Sequence, residues 1–192
     1  IAATDQGWKQ MMASHAFDLR VEGSRGDGTA IRMHVPLAEG DAARLHAALA
    51  GLDLDPPRGH AMLRLSRRTS DPRWPLQEKD LDMLATESLN VHTVSDLGRG
   101  DLAEAYAKMG PRAQVYALPA DGATGFPGWM AVDADWSAGA DGADPRIFVY
   151  TGQATEAPRS QCLPLADAFR ALEHFLCTDE LRMQGLRWTD AC

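Results

Sequence analysis

The chain has 192 residues, 45% hydrophobic and 24% charged, with 27 acidic side chains against 19 basic ones and a formal net charge of −8. That length buries one real core but not two full-sized ones, so a single domain over 1–192 is expected, with a soft boundary near 86–98. The acidic balance disfavours nucleic acid and anionic membrane surfaces. No run approaches the roughly 20 apolar residues of a membrane span, and three cysteines without CxxC spacing argue against a disulfide framework or a zinc knuckle.

The opening stretch IAATDQGWKQMM has no basic flank leading into an apolar core, so the protein reads as cytoplasmic. Next, AFDLRVEG sets Phe17, Leu19 and Val21 against Asp18, Arg20 and Glu22, and TAIRMHV repeats the period of two with Ile31, Met33 and Val35. The glycines of GSRGDG between them suit a turn, which predicts an antiparallel hairpin over 16–35. GDAARLHAALAGL carries Ala42, Leu45, Leu49 and Leu52 at helical spacing behind Asp41.

A third strand is expected in AMLRLSRR, and its basic end, RLSRR at 64–68, reads as a solvated edge. Two further helices are expected, one from Pro75 through about residue 88 on Leu81, Leu84 and Ala85, the other in DLAEAYAKMGPR on Leu102, Ala105, Tyr106 and Met109. NVHTV, AQVYAL, GWMAV and RIFVY read as strands. The resulting order, with many adjacent strands and no regular βαβ repeat, predicts an α+β fold: a largely antiparallel sheet with three to four packed helices.

GxSxG, HExxH, a P-loop and a strand-following GxGxxG are all absent. His174 and Cys177 lie three apart on the last predicted helix, a spacing that shares a face, yet a thiol there reads better as packing than as nucleophile. DADWSAGADGAD places Asp133, Asp135, Ser137, Asp141 and Asp144 at positions 1, 3, 5, 9 and 12, the oxygen spacing of a helix-loop-helix calcium site. Ala138 stands where the turn needs glycine and both flanks read as strands, so no metal and no cofactor is expected. The segment reads instead as a solvated hairpin loop or a partner-binding acidic loop. Asp133, Asp135, Asp141 and Asp144 with Trp136 are the candidate partner contacts, because an aromatic among acids can anchor an interface. Trp8, Trp74, Trp129 and Trp188 read as core or core edge, since no basic patch surrounds them.

PLADAFRALEHFL sets Leu165, Ala168, Phe169, Leu172, Phe175 and Leu176 on one helical stripe, and the break CTDEL leads to a final strand in GLRW. From RIFVYTG onward this order resembles a family of bacterial immunity proteins, the first numbered one of polymorphic and contact-dependent toxin systems. The resemblance covers about residues 113–190. Thr178-Asp179 stands where the family has threonine-glycine, and the first hundred residues are longer than the family's. It implies that Phe169, Phe175, Leu176 and Trp188 are core elements of a β-rich fold. It also implies a protein that binds and inactivates a cognate toxin, expected to be basic, with no catalysis of its own. The other readings are a small enzyme using loop His and Asp residues and a secretion or signalling adaptor. A toxin gene beside this one favours immunity, and a deep apolar pocket lined by His and Asp favours the enzyme.

Overall fold

The computed structural model describes residues 16–54, 58–67, 87–96, 104, 110–119, 128–133 and 146–191. Ten strands occur among the described residues: β1 (Phe17–Ser24), β2 (Ala30–Leu37), β3 (His60–Arg67), β4 (Ser88–Asp96), β5 (Arg112–Leu118), β6 (Trp129–Val132), β7 (Arg146–Tyr150), β8 (Ala154–Pro158), β9 (Leu163–Pro164) and β10 (Arg187–Asp190). The two α-helices among the described residues are α1 (Ala42–Ala50) and α2 (Leu165–Thr178). The main path runs β10-β6-β5-β4-β3-β1-β2, with β7 continuing from β4 to β8 and β9 beside β5. Every pairing among the described strands is antiparallel.

The expected α+β fold with three to four packed helices is therefore corrected: the described residues form a mostly antiparallel ten-stranded sheet with the two helices α1 and α2. Ala154–Pro158 and Leu163–Pro164, to which the hydrophobic pattern assigns no strand, are strands. Their backbone groups find partners on β7 and β5. Of the two other expected helices, the one in DLAEAYAKMGPR lies outside the described residues apart from residue 104 and its Gly110-Pro111-Arg112 end. The one from Pro75 also lies outside them, and its expected end at residue 88 is already strand β4.

β1 and β2 pair from Phe17↔Leu37 to Ser24↔Ala30, the hairpin that the alternation predicts. At its turn Arg25 N–H donates to Thr29 O at 2.8 Å, and Gly28 takes a φ of 86°, which a side chain disfavours. The expected solvated edge at RLSRR is also corrected, because β3 is an interior strand paired to β1 on one side and β4 on the other.

Alternate residues of the strands point to one apolar layer. Leu19, Val21, Leu63, Leu65, Leu89, Val91, Val115 and Ala117 are fully buried there. Helix α2 lies across β4 and β5 and touches α1, with Ala168, Ala171, Leu172, Phe175 and Leu176 buried at the spacing of its apolar stripe. Phe17 meets Phe175 edge to face at 5.1 Å. Phe169 and Trp188 are half-buried against this layer, so they sit at its margin. Asp41 caps α1 by accepting from Arg44 N–H. Asp179 ends α2 in the left-handed region at φ 64°, its N–H donating to Phe175 O, in the position where the resembling family carries glycine.

Candidate functional site

Pleating turns the intervening residues to the opposite face, and that face is polar. Register sets His34, Arg20, Arg64, Asn90, Tyr116 and Met130 side by side across six strands. The neighbouring row is Arg32, Glu22, Met62, His92 and Gln114. Asp18, Ser88, Asn90 and Gln114 are buried there despite their polarity. Buried polar groups need partners, and several have them. His34 Nε2 meets Asp18 Oδ1 at 2.7 Å, Asn90 donates to Ser88 Oγ at 3.2 Å, and Tyr116 donates to Gln114 Oε1 at 3.2 Å. The His92 ring packs on Tyr116 with centroids 5.4 Å apart, and His60 packs on Tyr150 at 4.6 Å. Burial holds His92 at a pKa of about 4, because a charged imidazole loses its hydration there. It also pushes the Tyr116 phenol up.

A second feature lies at the end of α2. A groove of about 480 Å³ opens between the segment 179–186 and the sheet margin, with Trp129, Trp188, Leu181 and Leu186 in its wall. Arg182 lies over the Trp129 ring at 4.4 Å, a cation–π contact. Trp188 Nε1–H donates to Met183 O at 3.2 Å. At the rim, Arg67 forms ion pairs with both Glu87 and Asp179.

Of the residues singled out from the sequence as partner contacts, Asp133 is described and Asp135, Trp136, Asp141 and Asp144 lie outside the described residues. Asp133 follows β6 and is half-buried. The buried Arg112 guanidinium pairs with its carboxylate and also donates through Nε to Cys162 O at 2.8 Å. Asp133 N–H donates to Ser160 O at 2.8 Å. One arginine thus joins β5, the end of β6 and the turn before α2, fixing the root of the acidic segment. Trp8 and Trp74 lie outside the described residues as well.

Cys177 was expected to pack, and the structure corrects this: the thiol is exposed at the end of α2. Its pKa is pushed up by partial burial and by the Glu173 carboxylate, the opposite of an activated nucleophile. His174 points its Nε2 at Thr178 Oγ1, 3.3 Å away, and at Glu180. Cys162 is the buried thiol among the described residues, in a small cluster with Val94, Ile147, Val149 and Ala157. No group of three or more His, Cys, Asp or Glu side chains suited to a metal occurs among the described residues.

The polar face was the feature that sequence reasoning missed. Its signal lay in the strands already identified: the residues alternating with the apolar ones include Arg20, His60, Arg64, Asn90, His92 and Gln114, all able to form hydrogen bonds beyond the needs of solubility.

A family model described as immunity protein Imm1 matches residues 79–190, more than half of the chain, reaching from before β4 through β10. No curated protein matches, and no solved structure matches.

Proposed function

Because the chain belongs to the Imm1 immunity protein family, we propose that it acts in the cytoplasm by binding a cognate bacterial toxin and masking it, with no catalysis of its own. The family match over 79–190 carries this reading. The net charge of −8 supports a basic partner, since a negative field raises the encounter rate with a positively charged enzyme domain. Within this reading the acidic segment supplies the contact. Asp133, already paired with Arg112, serves as its root, while Asp135, Asp141 and Asp144 steer the partner and Trp136 anchors it.

The test is a titration of the toxin encoded beside this gene with the purified protein. The reading expects inhibition that saturates at stoichiometric amounts. Full toxin activity in the presence of excess protein would refute it, and so would inhibition by trace amounts that deepens with time, which is the behaviour of an enzyme.

A further inference from the structure

Beyond the end of α2 the apolar layer reaches the surface. The helix stops at Thr178, and the irregular segment 179–186 carries the chain back to β10. Trp129, Leu181, Leu186 and Trp188 pack on the layer there but remain half-buried, and together they wall the groove of about 480 Å³. Pockets that hold small ligands run from about 300 to 1,000 Å³, so a long side chain enters this one with room to spare. Apolar surface of this kind, rimmed by polar groups, marks a place of docking.

The chemistry of the groove selects a cation. Pairing of β6 with β10 sets Trp129 and Trp188 diagonally across the two strands, and the Trp188 indole N–H is already engaged with Met183 O at 3.2 Å. What Trp188 offers the groove is therefore ring surface, whose negative face attracts a guanidinium or an ammonium. The Arg182 guanidinium, 4.4 Å from the centre of the Trp129 ring, makes this contact within the chain. Three carboxylates, those of Glu87, Asp179 and Glu180, line the same groove. Glu87 and Asp179 share Arg67. Glu180, 62% exposed, has His174 at 3.5 Å and no arginine or lysine paired with it among the described residues. An anion is repelled there, whereas a cation gains a charge-assisted contact.

We propose that the groove is a docking site for an arginine side chain of the bound partner, its aliphatic stem lying along Trp188 and Leu186 and its guanidinium meeting the Glu180 carboxylate. Arginine suits it better than lysine, because a planar guanidinium stacks on an indole and bonds a carboxylate through its fork. The identity of the partner rests on the toxin-binding reading; the affinity of the groove for a guanidinium does not. Trp129 begins β6 and Asp133 follows its end, four residue steps or roughly 13 Å away. One interface of standard size, about 800 Å² on each partner, spans both places. A basic partner drawn in by the negative field thus meets a slot that fixes its register.

Acetyl-arginine amide and its uncharged counterpart acetyl-citrulline amide, each titrated at constant ionic strength, test the groove by nuclear magnetic resonance of the Trp129 and Trp188 indoles. Saturable shifts of both indoles are expected with the arginine derivative, and binding about three- to tenfold weaker with the citrulline one. Glu180→Gln should weaken arginine binding about two- to fivefold, the range of an exposed ion pair, and Glu180→Lys should weaken it further. The exposure of Glu180 lets both variants fold, which a melting curve checks. Equal binding of the two derivatives, or an arginine response unchanged in Glu180→Lys, overturns the site. In the partner arm, the toxin encoded beside this gene should shift the same indoles, and Glu180→Lys should weaken its binding about tenfold. Wild-type toxin affinity in Glu180→Lys, beside a lost arginine response, overturns the partner's arginine as the occupant. A dimer in sedimentation equilibrium that Glu180→Lys dissociates overturns it too, because the groove then belongs to a second copy of this chain. Absence of toxin binding by the wild type overturns the functional reading, while the response to the arginine derivative still decides the groove.

Discussion

The two faces of the sheet are built from the same strands and serve opposite ends. On one, Leu19, Leu63, Leu89 and Val115 are fully buried under α2, and any side chain of similar volume and polarity satisfies the layer. On the other, Arg20, Arg64, Asn90 and Tyr116 occupy the alternate positions of the same four strands, and each needs a specific partner. The apolar face supplies stability without identity. The polar face gives up some of that stability to hold hydrogen-bonding groups whose partners are specific.

The largest effects should come from the apolar side. Leu172→Ala or Phe175→Ala, at fully buried positions, should cost on the order of 2–5 kcal/mol by opening a cavity. Phe169→Ala, at the half-buried margin, should cost less. Urea denaturation measures all three, and equal losses at Phe169 and Leu172 would break the assignment of margin and core.

On the polar side, acid should act through His92. Its folded pKa of about 4 lies below the ordinary 6.5, so between those values the unfolded chain binds a proton that the folded one refuses. Stability is whole above about pH 6.5 and falls as the pH drops toward 4, by about 2–3 kcal/mol for this one group. His92→Phe, which keeps a ring against Tyr116, should flatten that part of the pH–stability curve; an unchanged slope would contradict the assignment.

Arg112 tests the join between the sheet and the acidic segment. Arg112→Met should destabilise by about 1–3 kcal/mol, because it leaves the Cys162 carbonyl and the half-buried Asp133 carboxylate without their shared donor. A melting curve reads this, and a stability within about 0.5 kcal/mol of wild type, the usual range for surface changes, would place the pair among solvated ones. The smallest effect is expected of calcium. The first residue of the calcium-like spacing, Asp133, is already held by Arg112, so millimolar calcium should leave the melting temperature unmoved. A rise that a chelator abolishes would reverse this.

Much of the apolar face was legible in the sequence. The alternation of Phe17, Leu19 and Val21, and the helical stripe of Leu165, Ala168, Leu172, Phe175 and Leu176, are local patterns that burial alone imposes. Strands β8 and β9 were not legible, because Ala154–Pro158 is mostly exposed and Leu163–Pro164 is two residues long, so only long-range pairing makes them strands. RLSRR looked like an edge because charge usually marks one; its place between β1 and β4 depends on topology. Cys177 shares the stripe's neighbourhood in sequence yet lies off the face that α2 turns inward. Asp179 takes the left-handed conformation in this chain, and Asp is one of the few residues besides glycine that tolerate it, so the departure from threonine-glycine is compatible with the helix end seen here. The groove at the end of α2 was beyond sequence reasoning, for the chain shows Trp129 and Trp188 as two distant aromatic residues and only the pairing of β6 with β10 brings them together.

Binding of the toxin encoded beside this gene, followed by surface kinetics at low and high salt, tests the central claim most directly. The account predicts a stable complex whose association slows as salt rises and slows further when Asp135, Asp141 and Asp144 become asparagine. Trp136→Ala should instead speed dissociation, by an amount reaching about 2 kcal/mol for an anchoring residue. Wild-type rates in these variants at both salt levels would move the interface away from the acidic segment, and no binding of the toxin by the wild-type protein at either salt level would contradict the account.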